Sequence, residues 1–271
     1  MSDHMLTKGR TAVITGAASG IGRAVALRLA ERGMNVVLAD VAPELEGTAA
    51  DVAKVGPGGM DAVMSVRTDV AKPADLEALA AATYDRFGDC ALLMNNAAAR
   101  VKGGQDDSME DWHRTMDVNF WGPVHGERAF LPRMQAAGKE AIIVNTGSKQ
   151  GITNPPGNVI YNVTKSALKT YTEQLEHRLR SEPGPRIAAY LLVPGWTTTG
   201  KDLPKPGAWS ADQVARFMLD AIAQGQFYII CPDDDVTTEM DNRRILWGAG
   251  DITEKRPPLS RWHPDWKDKF R

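Results

Sequence analysis

Short, uninterrupted apolar runs alternate with helix-period segments along most of this chain, and no other feature limits its fold as strongly. The first three runs are RTAVIT (10–15), NVVLAD (35–40) and the run near 62–66. Because these runs do not alternate with polar residues, they are typical of strands that are covered on both faces. Strands that alternate with helices in this way lie parallel and are joined by right-handed crossovers. The sequence therefore predicts an α/β fold with a doubly wound parallel sheet flanked by helices.

The remaining elements follow from apolar periodicity and from Gly and Pro stop signals. Helices are predicted near 23–33, 43–55, 73–87, 108–137, 161–181 and 210–223, and strands near 91–95, 141–146, 186–193 and 227–230. The chain has 271 residues and contains no recognisable linker or internal repeat, so we expect one domain over residues 6–271. We interpret the opening MSDHM, residues 1–5, as a cloning remnant.

The amino-acid composition of the sequence changes after Gly195. Residues 196–212 are rich in Thr, Gly and Pro and are predicted to form a substrate loop. Residues 232–271 form a polar C-terminal extension that ends in RPPLSRWHPDWKDKFR. With Trp262 and Trp266 this tail is too aromatic for a solvated spacer, so we expect it to pack on its own subunit or on a neighbour.

Composition and charge exclude several classes of function. The formal net charge is −2, so no overall field favours nucleic acid or an anionic membrane surface. No apolar run approaches the ~20 residues that span a bilayer, and no signal peptide is recognisable. Cys90 and Cys231 are far apart and, like the five histidines, match no metal-binding spacing. We therefore expect a cytoplasmic protein with reduced thiols and with no metal, nucleic-acid or membrane partner.

A glycine cluster, TGAASGIG, joins the first predicted strand to the first helix. Glycines at 16, 20 and 22 allow a tight turn, close approach of a pyrophosphate to the backbone, and close packing of helix on strand. The N–H groups of Ser19 and Ile21 lie in the same loop, at a helix N-terminus that favours phosphate. An ordinary strand–turn–helix connection is the alternative. The position of the motif favours a Rossmann-type nucleotide-binding fold.

Asp40 ends the second predicted strand, 18 residues after Gly22. A carboxylate there can accept hydrogen bonds from the adenosine ribose hydroxyls and would repel a 2′-phosphate, so it favours NAD over NADP. Val41 follows it, and no Lys or Arg lies between Gly16 and Gly22. The alternative is that Asp40 caps the next helix.

Seven motifs follow one another in the order found in a known family. They are TGAASGIG, RTDV (67–70), NNAA (95–98), DVNFWG (117–122), NTGS (145–148), YNVTK (161–165) and PGWTTT (194–199). The chain in this way resembles the short-chain dehydrogenases/reductases, in their single-domain branch. Ser148 lies 13 residues before Tyr161, as the pattern of that family requires. The resemblance runs from about residue 10 to residue 195.

The resemblance implies a role for each matching residue. Tyr161 would be the general acid/base, Lys165 its electrostatic partner, Ser148 the residue that orients the substrate oxygen, and Asn119 the anchor of a water relay. The further contacts implied with NAD are made by Asp69, Val70, Asn96, Ala97, Tyr161, Lys165, Pro194, Gly195, Thr197 and Thr199.

Two features depart from the family pattern. The family usually has NNAG where this chain has Ala98 as the last residue. If that backbone has a positive φ, the methyl group costs about 1 kcal/mol, so we expect a slightly displaced loop. The C-terminal extension is the second departure. Because of it, the resemblance does not imply that this chain makes the family's usual tetramer contacts.

The spacing of Tyr161 and Lys165 suits proton transfer. Residues four apart lie on one face of a helix. A free tyrosine has a pKa of about 10, and a cation within ~4–6 Å favours phenolate and lowers that value. General acid–base catalysis requires such matching of pKa to working pH. A solvated surface pair is the alternative interpretation.

We therefore predict an NAD(H)-dependent oxidoreductase that interconverts a secondary alcohol and a ketone. The residues expected near the substrate are Ala99, Arg100, Gln150, Pro155, Asn158 and Trp196, which suit a medium-sized, cyclic or aromatic alcohol. The alternatives are a non-catalytic NAD-binding scaffold and an NADPH-dependent carbonyl reductase. A homodimer or homotetramer is expected because the helices at 108–137 and 161–181 form the interface in relatives.

Overall fold

Among the residues that the structure describes, seven strands form one parallel sheet. The structure, a computed structural model, describes residues 5–99, 108–184, 186–199 and 206–270. The strands are Thr11–Thr15 (β1), Asn35–Asp40 (β2), Val63–Arg67 (β3), Leu92–Asn95 (β4), Ala141–Thr146 (β5), Ile187–Val193 (β6), Thr197–Thr198 (β7), Trp209–Ser210 (β8) and Tyr228–Ile230 (β9). The sheet order is β3-β2-β1-β4-β5-β6-β9, and β7 and β8 pair separately. The predicted doubly wound parallel sheet is confirmed.

Helices cover both faces of this sheet. They are Gly20–Glu31 (α1), Leu45–Val55 (α2), Pro73–Phe87 (α3), Met109–Met116 (α4), Gly122–Ala137 (α5), Gln150–Thr153 (α6), Val159–Leu179 (α7), Ala211–Ala223 (α8) and Thr238–Thr253 (α9). Ile14 packs with Leu29 of α1 on one face, whereas Val13 packs with Phe130 of α5 and Leu175 of α7 on the other. Both faces of each central strand are therefore buried, which explains the uninterrupted apolar runs.

The helix predicted at 108–137 is interrupted. A π-helical turn, Asp117–Trp121, separates α4 from α5, and the N–H of Gly122 bonds to the carbonyl of Asp117. Pro123 has no N–H, so it cannot donate the bond that a continuous α-helix would direct to the carbonyl of Asn119. Single π turns of this kind occur frequently at functional sites.

The C-terminal extension contains a helix that the sequence did not predict. The buried residues of α9 are Asp241 and Gly250, whereas Leu246 and Ile252 are exposed, so the helix lacks the apolar stripe that sequence reading depends on. Beyond it, the guanidinium of Arg256 lies 4.1 Å from the ring centroid of Trp247. The extension thus packs on its own chain, which is one of the two arrangements expected.

The other end of the described chain also joins the core. Met5 and Leu6 are buried against the sheet face that α1 covers. Met5, which we grouped with a cloning remnant, therefore contributes to the hydrophobic core. Across the part of the chain that the structure describes, each helix is too short or too polar to cross a lipid bilayer.

Candidate active site

A cavity of about 700 Å³ opens at the carboxyl ends of the strands. Ligands bind at this edge in open α/β sheets. The predicted cofactor and catalytic residues that line it are Gly16, Ser19, Gly20, Ile21, Asp40, Val41, Asp69, Val70, Asn96, Ala97, Ser148, Tyr161, Lys165, Pro194, Gly195, Thr197 and Thr199. Ala42, Thr68, Val118, Thr146 and Gly147 also line it and were not singled out from the sequence. Each lies within two residues of a predicted residue, which is the signal that could have found it.

The glycine loop lies where only glycine fits. Gly16 and Gly20 have φ of +66° and +55°. A Cβ on Gly16 would lie 2.8 Å from the Cα of Ala97, and one on Gly22 would overlap the carbonyl oxygen of Gly16. The Asn96 amide donates to the carbonyls of Thr15, at 3.1 Å, and of Gly16, at 3.2 Å. The loop is therefore held against the segment that follows β4. Gly22 does not line the cavity and serves helix packing instead.

The carboxylate of Asp40 faces the cavity at the end of β2. Its Oδ2 accepts a hydrogen bond from the N–H of Ala18 and its Oδ1 accepts one from the N–H of Ala42, both at 3.0 Å. The alternative interpretation of Asp40 as a helix cap is wrong, because α2 begins at Leu45 and Glu44 precedes it. Each carboxylate oxygen keeps a lone pair for a further donor.

Tyr161 and Lys165 lie one turn apart on α7 and face the same cavity. The ammonium of Lys165 donates to the carbonyl of Thr146 at 2.7 Å and lies 5.7 Å from the ring centroid of Tyr161. Both side chains are buried. Ser148, in the segment after β5, lines the cavity with them, and its Oγ accepts a hydrogen bond from the N–H of Gln150 at 3.2 Å. The ammonium of Lys165, the phenol of Tyr161 and the hydroxyl of Ser148 therefore share a single cleft.

Asn119 lies behind the cavity in the π turn and is fully buried. Its Oδ1 accepts from the N–H of Ala99 at 2.8 Å, and its amide donates to the Ala99 carbonyl at 3.0 Å and to the Thr164 hydroxyl at 3.2 Å. Both amide protons are thus engaged. The described contacts make this side chain a clamp between the Ala99 backbone and α7, and the expected water relay stays a prediction.

The residues expected near the substrate are only partly assembled. Ala99 lines the cavity, but Gln150, Pro155, Asn158 and Trp196 do not. Gln150 and Asn158 lie together, with the Asn158 amide donating to Gln150 Oε1 at 3.3 Å. Arg100 and part of the predicted substrate loop fall outside the described residues.

Ala98 lines the cavity without the strain considered above. The described non-glycine residues with positive φ are Asn154, Lys255 and Leu259, so the expected cost of the methyl group does not arise. The glycine of the family pattern can be replaced here because the backbone has an ordinary conformation.

Sequence reasoning missed an ion cluster beside Ser148. The ammonium of Lys149 lies 3.3 Å from Asp233 Oδ2 and 2.6 Å from Asp241 Oδ2. Burial raises the pKa of the Asp241 carboxyl against the opposing effect of Lys149. A lysine next to Ser148 was visible in the sequence, but its partners lie more than 80 residues further along the chain.

Residues 10–204 match the family model described as short chain dehydrogenase. The chain belongs to the short-chain dehydrogenase family. The chain is 32% identical over 248 residues to 1-deoxy-11-beta-hydroxypentalenate dehydrogenase of Streptomyces avermitilis, a match that covers 88% of this chain and 90% of that protein. The predicted family is confirmed, and the protein is an oxidoreductase of a family that acts on alcohols and ketones.

Two solved structures resemble this short-chain dehydrogenase over most of its length. A short chain dehydrogenase/reductase from Burkholderia phymatum in complex with NAD has a TM-score of 0.83 and 34% identity, and the match covers 93% of this chain and 96% of that one. An alcohol dehydrogenase from Thermococcus sibiricus complexed with 5-hydroxy-NADP has a TM-score of 0.69 and 25% identity, with 79% and 90% covered. Relatives of this fold therefore include both cofactor types.

Proposed function

We propose that the protein is an NAD(H)-dependent oxidoreductase that interconverts a secondary alcohol and a ketone. The observation that carries the proposal is that Ser148, Tyr161 and Lys165 line one cavity with the glycine loop. A binding scaffold has no need of that set of three side chains. The preferred substrate is a medium-sized, cyclic or aromatic alcohol, and the hydroxypentalenate named for the Streptomyces relative supports this class.

The residues present fit a dinucleotide. The closely packed Gly16 and the helix N-terminus at Gly20 suit the pyrophosphate, because backbone N–H groups can approach it there. Asp40 suits the adenosine ribose. Asp69 and Val70 suit the adenine, Asn96 and Ala97 the neighbouring ribose, and Pro194, Gly195, Thr197 and Thr199 the nicotinamide half.

The bound cofactor would supply or accept the hydride. Within the chain, the Tyr161 hydroxyl gives a proton to the ketone oxygen in the reduction direction, and the Tyr161 phenolate takes a proton from the alcohol in the oxidation direction. The positive charge of Lys165, one helical turn away, favours the phenolate form of Tyr161. The Ser148 hydroxyl holds the substrate oxygen against Tyr161, and Asn119 fixes α7 relative to the Ala99 backbone.

Asp40 favours NAD as the cofactor, and the NAD complex of the Burkholderia relative agrees with this choice. Because cellular NAD is mostly oxidised, we propose alcohol oxidation as the physiological direction. One observation favours the second candidate, an NADPH-dependent carbonyl reductase: Arg67 lies opposite Asp40 in the β2–β3 register. A cation there could bind a 2′-phosphate. Comparing kcat/KM for NAD⁺ and NADP⁺ separates the two.

The proposed function is tested by following NADH formation across a panel of secondary alcohols that increases in ring size. We expect turnover with NAD⁺ for at least one cyclic member of the panel. Titration calorimetry with NADH is run beside it. Binding without turnover of any alcohol or ketone would support the scaffold alternative and contradict the proposal.

We also propose that the protein is a homodimer or homotetramer through α5 and α7. Trp121, which precedes α5, and Val159 and Val163 of α7 are exposed apolar residues on these elements. Exposed aromatic residues such as Trp121 are enriched in subunit interfaces, and neighbouring exposed apolar residues mark interaction surfaces. A monomeric mass in sedimentation velocity would contradict this arrangement.

A further inference from the structure

The C-terminal extension reaches the candidate active site through a buried ion cluster that the proposed mechanism does not use. Lys149 directly follows Ser148, and its ammonium pairs with Asp233 and with Asp241 of α9. The three side chains are only 13%, 1% and 3% exposed. Arg244 approaches Asp241 at 3.9 Å. Charges buried to this degree depend on one another, since removing one leaves its partner uncompensated.

Three strand ends meet at this cluster. The N–H of Lys149 donates to the carbonyl of Pro194 at 3.3 Å, and the N–H of Cys231 donates to the carbonyl of Val193 at 3.0 Å. The hydrogen bonding between β5, β6 and β9 therefore continues beyond the strands. It brings the Ser148 segment, the segment after β6 and the start of the extension side by side.

The ion pair lies directly against Gly195. A Cβ on Gly195 would overlap the Asp233 carboxylate and lie 2.9 Å from the ammonium of Lys149. The same Asp233 oxygen accepts a hydrogen bond from the N–H of Trp196 at 3.3 Å. Lys149 and Asp233 thus hold the backbone of a segment whose residues 194, 195, 197 and 199 line the cavity.

Main-chain contacts fix Lys149 and Ser148 as well. The carbonyl of Lys149 accepts hydrogen bonds from the N–H of Thr153 at 2.9 Å and from its hydroxyl at 3.0 Å. The carbonyl of Ser148 accepts one from the N–H of Gly151 at 2.9 Å. Because the N–H, carbonyl and ammonium of Lys149 are all bound, the adjoining Ser148 has little freedom to move.

The cluster is held at a cost at Asp233. Its Oδ1 is buried and, like Asp241 Oδ2, receives no hydrogen bond from the residues that the structure describes. An unpaired buried oxygen destabilises the folded state. Stability alone is therefore a poor reason for an acid at this position, and a functional reason fits better.

We propose that Lys149, Asp233 and Asp241 are positioning residues that hold Ser148 and the segment 194–199 in place, so that the C-terminal extension completes the active site. This inference rests on the proposed dehydrogenase function. It assigns a role in catalysis to a segment that lies outside the matched family region, residues 10–204.

The test compares Lys149→Met and Asp233→Asn with a control, Arg10→Met. Arg10 pairs with Asp89 at 2.7 Å and is also partly buried. It directly precedes β1 and so lies at the amino ends of the strands, opposite the cavity. For each variant we measure the turnover number, the affinities for NADH and for ADP-ribose by calorimetry, and the Tm. ADP-ribose lacks the nicotinamide, so the ratio of the two affinities reports on the segment 194–199. Asp233→Asn keeps the shape of the side chain in case Lys149→Met does not fold.

We expect both cluster variants to lower the turnover number and the ratio of NADH to ADP-ribose affinity by about tenfold, because small displacements at a reacting centre have effects of this order. Arg10→Met should lower Tm yet leave both quantities within about twofold of wild type. A ratio within about twofold of wild type in the cluster variants, or an equal fall in the control, would overturn the inference. If the wild type turns over no alcohol, the proposed function fails, whereas the affinity ratio still decides the inference.

Discussion

The carboxylate of Asp40 is oriented before any cofactor binds, because the N–H groups of Ala18 and Ala42 each bond one of its oxygens. Its charge lies at the carboxyl end of β2 on the cavity wall. A preset negative charge discriminates against a 2′-phosphate by repulsion rather than by shape. At the scale of single residues, this side chain carries the proposed cofactor preference.

Asp40→Asn should shift that preference towards NADP⁺. The amide keeps an acceptor oxygen and removes the charge, and a repulsion of about 1–2 kcal/mol near a protein surface corresponds to about tenfold in kcat/KM. We therefore expect the ratio of kcat/KM for NADP⁺ to that for NAD⁺ to rise about tenfold. Glu44→Gln, an exposed acid four residues further along, is the control and should leave the ratio unchanged. An unchanged ratio in Asp40→Asn would refute the role of its charge.

Individual residues were predictable where a motif fixes them. Tyr161 and Lys165 were singled out because their helical spacing matches a motif of the family that the chain resembles, and the glycines because a tight loop requires them. Ala98 could not be judged, since its cost depended on a φ that the sequence does not contain. Lys149 was not predicted for a related reason: its partner Asp233 is close to it in space but distant in the sequence.

The π turn at Asp117–Trp121 is the element that joins α7, the helix that carries Tyr161 and Lys165, to the cavity wall. It places Asn119, which bridges the Ala99 backbone and Thr164 of α7 with three hydrogen bonds. The widened turn therefore sets where α7 lies relative to the segment after β4.

Asn119→Ala should destabilise the fold as well as impair catalysis. The N–H and carbonyl of the partly buried Ala99 would lose their partner, and each buried group left unsatisfied costs about 1–3 kcal/mol. We expect the free energy of unfolding in urea to fall by about 2–4 kcal/mol. Asn158→Ala removes a single hydrogen bond to Gln150 and should cost much less. Equal losses in the two variants would argue against the clamp.

Whole elements were predictable where apolar periodicity is strong. The seven strands of the main sheet and most helices lie within a few residues of their expected bounds, because both faces of that sheet are buried, whereas the short strands β7 and β8 lie in the segment predicted as a loop. The break in the helix at 108–137 had one visible signal, Pro123. The helix α9 has no apolar stripe, because its buried contact with the rest of the chain is largely the Asp241 carboxylate. Apolar periodicity in the sequence cannot detect a contact of this kind.

At the scale of the whole molecule, buried titratable groups should set the alkaline limit of stability. Burial raises the pKa of the Cys231 thiol from 9.0 to about 12. Above pH 9 the unfolded chain releases this proton while the folded chain retains it, so unfolding becomes more favourable as pH rises towards 12. The stabilising contribution is fully present below pH 9 and is lost across that window.

Cys231→Ala removes this contribution and can be compared with wild type by urea unfolding at about pH 8 and about pH 11. Between those values, the free energy of unfolding should fall by about 2 kcal/mol more in wild type than in the variant. Other buried phenols and thiols affect both proteins equally, so the difference isolates Cys231. Parallel losses in the two proteins would contradict the raised pKa.

The fold class was predictable from the sequence, but the packing of the C-terminal extension against the rest of the chain was not. Alternating strands and helices required a parallel sheet, and the family pattern supplied its type. The way in which the extension after β9 folds back to Lys149 depends on buried charge pairs, for which the sequence offers many equivalent partners. The position of the extension therefore became apparent only from the structure.

The most direct test of the account is the turnover of Tyr161→Phe, measured beside its affinity for NADH. Phenylalanine keeps the ring that lies 5.7 Å from the ammonium of Lys165 and removes only the hydroxyl. We expect turnover of the best alcohol to fall about 10²–10⁴-fold, as the loss of a general acid/base requires, while the Kd for NADH stays within about twofold of wild type. Turnover close to that of the wild type would remove Tyr161 from the reaction and contradict the central claim.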